Sequence, residues 1–481
     1  MIEELNGLDE LPHGWIRTQL GEIAEIILGQ SPPSSTYNEE GRGLPFYQGK
    51  LEFGKSYPTP RKWCMAPKKI AEKGDVLISV RAPVGPTNVC REKSCIGRGL
   101  AAIRGLGGIG TFFILYVLRA FENEIVRKGT GTTFSAIGGD KLKALEIPLP
   151  PLNEQERIVA KLEELFTRLD AGVEGLLKVK AQLKRYRQAV LKHAFEGKLT
   201  EEWRKTHKDQ LEPATKLLEQ IKQERKRTEE RNNSLSFVEV SYLPVLPENW
   251  LWTELGEIAD VVLGQSPPSS TYNETAEGLP FYQGKLEFGK MYPTPRKWCT
   301  EPQKIAEKGD VLISVRAPVG PTNICPEKSC IGRGLAAIRG YDGILQFFIF
   351  YVLRASEGTI AGKGTGTTFK AITGGQLRNI KIPLAPIAEQ RKIVEIIEQL
   401  FFIADEIEKN VEQGIRQAER LRQSLLKVAF EGRLVPQHPS DEPAEKLLQR
   451  IKEERAKPEG EKNINQKKTK PKQLELSTYV E

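Results

Sequence analysis

The most constraining feature of this sequence is a long run of apolar residues at alternating steps of three and four, and the run occurs twice. Such spacing is typical of a coiled-coil seam, where a helix buries one stripe of side chains against a partner. The first run lies within residues 153–195, and the second extends from Ile393 to Val428. At about 1.5 Å per residue, each helix would be on the order of 60 Å long, the length of a spacer. We therefore predict that the two helices pair and hold two other parts of the chain apart.

The predicted seam residues are aliphatic side chains that share one face of each helix. They are Ile158, Leu162, Leu165, Leu169, Leu176 and Leu183 in the first helix, and Ile393, Ile397, Leu400, Ile407, Val411 and Leu425 in the second. The same ladders pass through Tyr186 and Leu421, so we expect these two side chains at the seam as well.

Two copies of one domain accompany the helices. The segment from Leu20 to Gly105 returns as Leu255 to Gly340 without a gap and with about twelve differences in about eighty-six positions, which indicates a duplicated domain. Within each copy, proline and glycine interrupt short strand patterns, and a brief helix is predicted from Thr111 to Glu124. We therefore predict an α+β domain with a curved sheet and a few small helices.

This pattern divides the chain of 481 residues into consecutive parts. They are a first domain at 1–151, a spacer helix at 152–199, a charged helix and linker at 200–245, a second domain at 246–386, a second spacer helix at 387–434, and a short charged helix with a disordered, lysine-rich tail at 435–481. The charged helix before the second domain is expected to run from about Glu212 to about Arg231.

Composition narrows the classes of function. The net charge is +8, so the protein attracts polyanions mildly, although many proteins of this charge bind no nucleic acid. Six cysteines occur as the same three in each copy without a close pair, and only four histidines are present, so no metal site is expected. No signal peptide opens the chain and no apolar run is long enough to span a membrane, so we expect a cytoplasmic protein with reduced thiols.

Three stretches are similar to catalytic or cofactor motifs, and each has a simpler interpretation. Residues 49–56 match a P-loop, but prolines prevent the helix that must follow its lysine, and the second copy has Met291 in place of the hydroxyl residue. Residues 105–110 match a dinucleotide fingerprint, yet the second copy lacks two of its glycines, which favours a plain turn. Residues 31–34 are similar to the loop with which amino-methyltransferases hold a flipped base, but the stacking aromatic is missing. We predict no catalytic residue in this chain.

Each domain does present loop residues that mix hydrogen-bond donors, aromatics and cations. Arginine and glutamine read guanine and adenine edges and lysine holds phosphates, so these residues are candidate DNA contacts, although each taken singly is more often a solvated surface group. They are Gln48, Lys50, Arg61, Lys62, Arg81, Arg98 and Lys128 in the first copy, and Gln283, Lys285, Arg296, Lys297, Arg316, Arg333 and Lys363 in the second. The neighbouring aromatics Phe46, Trp63, Phe281 and Trp298 are expected in the core.

The order of these elements resembles the specificity subunit of type I restriction–modification systems. The resemblance rests on IPLPPLNEQERIVAKLEELF at 147–166 and IPLAPIAEQRKIVEIIEQLF at 382–401, each preceded by GTGTTF, and on FEGKL and FEGRL after the long helices, and it covers nearly the whole chain. In this family, two target-recognition domains each read half of a bipartite DNA site, and an antiparallel coiled coil sets the gap. The resemblance thus implies an α+β fold of two similar target-recognition domains joined by two long antiparallel helices, with a pseudo-twofold internal repeat.

The resemblance also implies partners. Specificity subunits have no catalytic activity; they bind double-stranded DNA and recruit two methyltransferase subunits, which methylate adenine, and through these the restriction subunits. No cofactor is therefore expected in this chain, whereas S-adenosylmethionine, ATP and Mg²⁺ are expected in the partner subunits. Because the two domains are nearly identical here, we predict a site whose half-sites are inverted copies of each other. Two other classes stay open: a coiled-coil adaptor that binds proteins, and a self-sufficient DNA methyltransferase.

Overall fold

The computed structural model describes residues 11–130, 136–228, 243–364 and 370–457. Most of both GTGTTF loops and the predicted disordered tail lie outside the described residues. The chain forms two compact units: unit 1 consists of Met1–Leu176 and Gln413–Glu481, and unit 2 of Leu177–Glu412. Each unit therefore contains one copy of the duplicated domain, the first half of the long helix that follows it, and the second half of the other long helix.

Short strands build the domain of unit 1. In chain order, β1 to β11 are Ile16–Gln19, Ala24–Leu28, Tyr37–Asn38, Leu44–Tyr47, Lys62–Cys64, Ile70–Ala71, Val76–Ser79, Thr87–Val89, Ser94–Ile96, Leu100–Gly105 and Glu146–Leu149. Strands β2, β10, β7 and β8 form, in that order, an antiparallel sheet, and β1 pairs with β11. Strands β3, β5, β4, β9 and β6 form a second sheet, in which β4 and β9 run parallel.

The antiparallel sheet is buried on both of its faces. Successive side chains of β7 point to opposite faces, so Val76 and Ile78 join one core cluster while Leu77 joins another. The first cluster includes Phe113 from a helix that covers the sheet, and the second includes Tyr47 at the end of β4. The end of β4 in the second sheet therefore lies against β7 in the first.

Small helices complete the domain of unit 1. They are α1 Leu20–Ile23, α2 Thr111–Ala120, α3 Glu122–Lys128 and α4 Gly139–Lys143. The prediction of one helix from Thr111 to Glu124 is wrong, because the helix ends at Ala120 and is followed by Phe121, whose φ and ψ are −96° and 12°. The ring of Phe121 is buried in the core, and the chain continues as a second helix from Glu122.

The aromatics expected in the core divide into two pairs. Phe46 and Phe281 are buried, as predicted, whereas Trp63 and Trp298 remain partly exposed. Trp63 lies on β5 next to Cys64, whose side chain packs with Phe46 on one face of the sheet. Because neighbouring strand residues face opposite ways, Trp63 points to the other, less covered face.

The domain of unit 2 repeats this architecture, with strands paired in the same order. Its strands β12 to β22 are Leu251–Glu254, Ala259–Leu263, Tyr272–Asn273, Leu279–Tyr282, Lys297–Cys299, Ile305–Ala306, Val311–Ser314, Thr322–Ile324, Ser329–Ile331, Leu335–Gly340 and Lys381–Leu384. From the first long helix onward, helices α5 to α13 are Leu152–Phe195, Glu201–Thr206, Ala214–Thr228, Leu255–Ile258, Gln346–Ala355, Glu357–Lys363, Gly374–Arg378, Ile387–Phe430 and Ala444–Ala456.

Helices α5 and α12 are the two long helices predicted from the apolar ladders, and each has 44 residues. In unit 2, Arg187 of α5 donates to Asp405 of α12 at 2.7 Å, and Lys180 pairs with Glu412 at 2.7 Å. Residue numbers fall along α12 as they rise along α5, so the two helices are antiparallel.

Unit 1 contains the corresponding pairing of the other two helix halves. Asp170 of α5 pairs with Arg422 of α12, and a side chain at Gly414 would lie only 3.0 Å from Leu176. The residue numbers again run in opposite directions. The predicted α+β fold of two similar domains joined by an antiparallel coiled coil is therefore confirmed.

The predicted seam residues differ in how deeply they are buried. Ile158, Leu162, Leu183, Ile393, Ile397 and Val411 are buried, and Leu165, Leu169, Leu176, Leu400 and Leu425 are partly buried. Ile407 is 40% exposed, because the buried stripe of α12 passes through Ala404 and Val411, seven residues apart, and leaves Ile407 on its flank. Tyr186 and Leu421 are likewise exposed, at 41% and 48%, so assigning these three side chains to a buried seam was wrong.

The short charged helices pack on the domains. In unit 2, Lys222 of α7 pairs with Glu257 of α8 at 2.8 Å. In unit 1, Lys452 of α13 pairs with Glu22 of α1 at 3.0 Å, and Ile451 of α13 is buried in the core of that unit. The last residue described in α7 is Thr228, so the predicted end near Arg231 lies outside the described residues.

Candidate nucleic-acid interface

Four of the candidate DNA contacts in unit 1 surround one cavity. The cavity has a volume of about 230 Å³, and its lining consists of Gln48, Gly49, Lys50, Ser79, Arg81, Ala82, Arg98 and Gly99. These residues come from three loops that are far apart in the sequence. The fold therefore collects one amide and three cationic side chains at the place where the two sheets meet.

Each of these side chains follows a strand that fixes its backbone. Gln48 comes directly after β4, and the amide of Gly49 donates to Glu52 Oε2 at 3.0 Å, which holds the turn carrying Lys50. Arg81 follows β7, and Ser79 Oγ donates to the Arg81 carbonyl at 3.0 Å.

Arg98 lies in the loop between β9 and β10. Its amide donates to Ser31 Oγ at 3.3 Å, which ties this loop to the residue 31–34 turn. The next residue is Gly99, where a Cβ would lie 2.3 Å from the Gln48 carbonyl oxygen. Only glycine permits this approach, so Gly99 is the reason that Arg98 and Gln48 share one cavity.

The electrostatics of the cavity suit an anionic ligand. The side chains of Gln48, Lys50, Arg81 and Arg98 are exposed, and no carboxylate belongs to the lining, which consists entirely of described residues. The nearest acidic group in the turn, Glu52, is engaged by backbone amides. Exposed guanidinium and ammonium groups without an acidic neighbour in the lining attract phosphates and the acceptor edges of bases.

Unit 2 has the same local arrangement. Gln283, Lys285, Arg316 and Arg333 are all exposed, and a Cβ at Gly334 would again lie 2.3 Å from the Gln283 carbonyl oxygen. The Arg333 amide donates to Ser266 Oγ at 3.2 Å, and Ser314 Oγ donates to the Arg316 carbonyl at 3.0 Å. The two domains therefore offer the same set of donors in the same local frame.

The remaining candidates lie outside the cavity lining. Arg61 and Lys62 are exposed at the start of β5, where Lys62 pairs with Phe46 of β4. Lys128 ends α3 and forms an ion pair with Glu124 at 3.2 Å. Their counterparts in unit 2, Arg296, Lys297 and Lys363, are exposed as well. Arg61, Lys62 and Lys128 are therefore surface cations of the same domain that do not line the cavity.

The structure assigns other roles to the three motif-like stretches. After Lys50–Glu52, Phe53 bridges to Pro58, so no helix follows the P-loop-like string. In the 105–110 turn, a Cβ at Gly107 would lie 2.5 Å from Ile451 of α13, so this turn packs against protein. The residue 31–34 turn supports Arg98, as described above.

Sequence reasoning missed two groups of residues at this site. Ser79 and Ser314 support the arginine carbonyls, and Lys55 and Lys290 contact the long helices, as described below. A usable signal was present, since the run from residue 43 to residue 55 is identical in both copies. Interpreted as a failed P-loop that carries two candidate DNA contacts, this run did not lead to a prediction of the contact of Lys55 with the long helix.

Within the described ranges, no group of three or more His, Cys, Asp or Glu side chains is close enough to hold a metal ion. In the same ranges, no helix has both the length and the apolar character needed to cross a membrane.

Comparison with known proteins identifies the family. The family model described as the type I restriction modification DNA specificity domain matches residues 12–178 and 247–417. The chain belongs to this family. Each matched region of this specificity-subunit chain covers one domain and the first half of the long helix that follows it. Specificity subunits are the non-catalytic members of type I systems and carry no cofactor themselves.

Similar full-length proteins support the assignment. A putative type I restriction enzyme MjaX specificity subunit of Methanocaldococcus jannaschii is 32% identical over 439 residues, covering 87% of this chain and 94% of that protein. The EcoDI specificity subunit of Escherichia coli is 26% identical over 476 residues, covering 95% of this chain and 99% of that protein.

Solved structures agree in sequence and fold. A chain from a structural study of complex assembly and conformational transition of the type I R-M system has 30% identity and a TM-score of 0.68, covering 88% of this chain and 99% of that chain. The HsdS subunit from Thermoanaerobacter tengcongensis has 30% identity and a TM-score of 0.51, covering 89% of this chain and all of that chain.

Proposed function

We propose that this specificity subunit recognises a bipartite DNA site, with one half-site read by each domain through the cavity rim. The observation that carries the proposal is the cluster of Gln48, Lys50, Arg81 and Arg98 around one cavity, together with its repetition in unit 2. Arginine donates two hydrogen bonds to guanine and glutamine pairs with adenine, whereas lysine binds phosphates. Arg81 and Arg98 are therefore the proposed base readers, and Lys50 is a proposed phosphate contact.

The two half-sites are proposed to be inverted copies of each other. The cavity residues are identical in both copies, whereas most of the changes in chemical character fall in two loops, at residues 40–42 and 65–68. These loops pack together, because a Cβ at Gly43 would lie 2.3 Å from the Cys64 carbonyl oxygen. They lie at the start of β4, and the cavity lies at its end. Identical readers carried by an internal repeat with antiparallel helices suit a symmetric target.

The partners follow from the family. We propose that the coiled coil recruits two methyltransferase subunits, which bind S-adenosylmethionine and methylate adenine, and that restriction subunits using ATP and Mg²⁺ join through them. The proposed place of action is the cytoplasm, where these subunits meet DNA. Protein groups on this chain would supply recognition and spacing, and the partners would supply the chemistry.

The test is a genome-wide map of methylated adenines in the native host with the gene present, deleted, or replaced by the double variant Arg81→Ala and Arg316→Ala. Deletion should abolish methylation at a bipartite inverted-repeat motif. The double variant should relax one position in each half-site, at a cost of about 1–3 kcal/mol per contact. A motif with unrelated half-sites would refute the symmetry, and no change on deletion would refute the function.

A further inference from the structure

The loop that follows β4 connects the cavity to the coiled coil. We call residues 48–56 of unit 1 and residues 283–291 of unit 2 the straps. At one end of the first strap, Gln48 and Lys50 line the cavity. At the other end, Lys55 Nζ lies 2.6 Å from Asp170 Oδ2 on α5, and Asp170 also pairs with Arg422 of α12. One carboxylate therefore joins the DNA-reading loop to both helices within unit 1.

Hydrogen bonds fix the strap between its two ends. The Gly54 amide donates to Asn88 Oδ1, and Asn88 Nδ2 donates back to the Gly54 carbonyl, both at 3.0 Å. Asn88 is only 1% exposed, so these bonds are protected from water. Arg119 of α2 donates to the Lys55 carbonyl at 3.2 Å. A loop held at several points along its backbone moves as one piece with the domain.

Unit 2 repeats the connection with its own residues. Lys290 pairs with Asp405 of α12, and Arg187 of α5 donates to the same carboxylate at 2.7 Å. Burial alone would raise the pKa of Asp405, but hydrogen bonds from Lys290 and Arg187 outweigh it and lower that pKa. The Gly289 amide donates to Asn323 Oδ1 at 3.0 Å, as in unit 1. The whole arrangement has therefore been retained in both copies.

We propose that Asp170 and Asp405 are positioning residues that fix the angle of each domain on the adjoining coil segment, and thereby the spacer length that the protein accepts. This inference rests on the proposed reading of a bipartite site. One added base pair moves a half-site by about 3.4 Å along the duplex and about 35° around it. A domain that can rotate relative to the adjoining part of the coiled coil can follow this shift. A domain whose strap is paired with Asp170 or Asp405 of that coil cannot. The coil sets the coarse spacing, and the two carboxylates set the tolerance.

The experiment uses the complete complex with its methyltransferase subunits and three duplexes that differ only in spacer length: the native length, one base pair shorter and one longer. In the double variant Asp170→Asn and Asp405→Asn, the preference for the native spacer should fall about fivefold, equivalent to about 1 kcal/mol. The preference for the correct bases within each half-site should stay unchanged. Asp170→Glu with Asp405→Glu, which keeps the charge, should preserve the native preference.

Two further variants separate positioning from folding. Lys55→Met with Lys290→Met removes the lysine that each domain contributes to the contact, while each aspartate stays paired with an arginine of the long helices. This double variant should lower the preference for the native spacer length by a similar factor. Lys180→Gln removes an ion pair between the helices that involves no domain residue, and it should leave spacer preference intact.

Equal weakening on all three duplexes would overturn the inference. So would an unchanged spacer preference in the Asp→Asn double variant and in the Lys→Met double variant. If the unaltered complex recognises no bipartite site, the proposed function itself is refuted. This failure can be told apart from failure of the positioning role, because it is seen without any variant.

Discussion

Two equivalent buried glutamates at the starts of the long helices have different surroundings, and this difference predicts unequal effects of the same substitution. Glu389 is fully buried, and its carboxylate accepts hydrogen bonds from Trp250 Nε1 at 2.7 Å, Thr200 Oγ1 at 2.6 Å and Arg204 Nε at 2.9 Å. Its counterpart Glu154 is also buried, but among the described residues only Trp15 Nε1 donates to it, at 3.0 Å, and Oε1 has no hydrogen-bond partner there.

Glu389→Gln should therefore destabilise unit 2 far more than Glu154→Gln destabilises unit 1. Removing the Glu389 charge leaves Arg204 unpaired with only 15% of its side chain exposed, a change that costs about 3 kcal/mol. An amide at position 154 keeps an acceptor for Trp15 and removes a poorly paired buried charge, so the free energy of unfolding should change by less than about 1 kcal/mol.

The stability change caused by Glu154→Gln should also depend on pH. Burial raises the pKa of Glu154 above its usual value of 4.5. Because the pKa of Glu154 is higher in the folded protein than in the unfolded chain, the folded state holds this proton more tightly. The resulting stabilisation is complete when the pH is below the unfolded-state pKa, and it is lost as the pH rises through the folded-state pKa. The Glu154→Gln variant should therefore gain stability relative to the unaltered protein as pH increases above about 4.5.

Hydrogen–deuterium exchange in increasing urea, followed by mass spectrometry, measures both units within one molecule. Peptides at the start of α12 should lose protection at lower urea in Glu389→Gln, while peptides at the start of α5 should change little in Glu154→Gln. Equal losses in the two variants, or a larger loss for Glu154→Gln, would refute the reasoning from partner count.

Three further outcomes are expected. Ala276 has a φ of +65° where the first copy has Gly41 at +82°, and a positive φ is strained for alanine but not for glycine. In urea unfolding, Ala276→Gly should therefore raise the free energy of unfolding by about 0.5–1 kcal/mol, and Gly41→Ala should lower it by about 1 kcal/mol. Changes of the opposite sign would contradict this strain argument. All six cysteines are buried, and burial raises the pKa of Cys95 to about 12. A thiol reagent at about pH 8 should therefore react with the cysteines only after the protein unfolds, and rapid reaction with the folded protein would contradict this. Lys50→Ala with Lys285→Ala should weaken binding to all DNA sequences alike and should reduce the slope of log K against log salt concentration by about two. Titration with DNA at several salt concentrations measures both effects. An altered base preference would instead assign these lysines to base reading.

The long helices could be predicted from the sequence because their signal is local and regular. Steps of three and four define a helix face without reference to any other part of the chain. Which ladder positions become buried depends on the partner helix, and Ile407 shows the limit. Its spacing is ideal for the seam, yet Ala404 and Val411 occupy the buried stripe across from α5.

The cavity could be predicted only as a list of residues. Gln48, Arg81 and Arg98 belong to loops brought together by the parallel pairing of β4 with β9 and by the packing of Tyr47 on the β7 sheet. Neither contact has a signature at short range in the sequence. Arg61, Lys62 and Lys128 are cations of the same kind as the cavity residues, but they lie at the start of β5 and at the end of α3, outside the cavity lining.

Glu154 and Glu389 differ in their hydrogen-bond partners, and a comparison of the two domain sequences alone cannot show why. Both glutamates belong to the same duplicated stretch, and their tryptophan partners are duplicated too. The extra partners of Glu389 come from the segment that follows α5, whereas the segment that follows α12 has Val435 and Pro439 at the positions equivalent to Thr200 and Arg204. Because each unit takes the end of one long helix together with the start of the other, a change after α12 alters the surroundings of a glutamate in the first domain's unit. Duplication thus preserved the cavity residues, the straps and the helix starts, while the connecting segments diverged and gave Glu154 and Glu389 different hydrogen-bond partners.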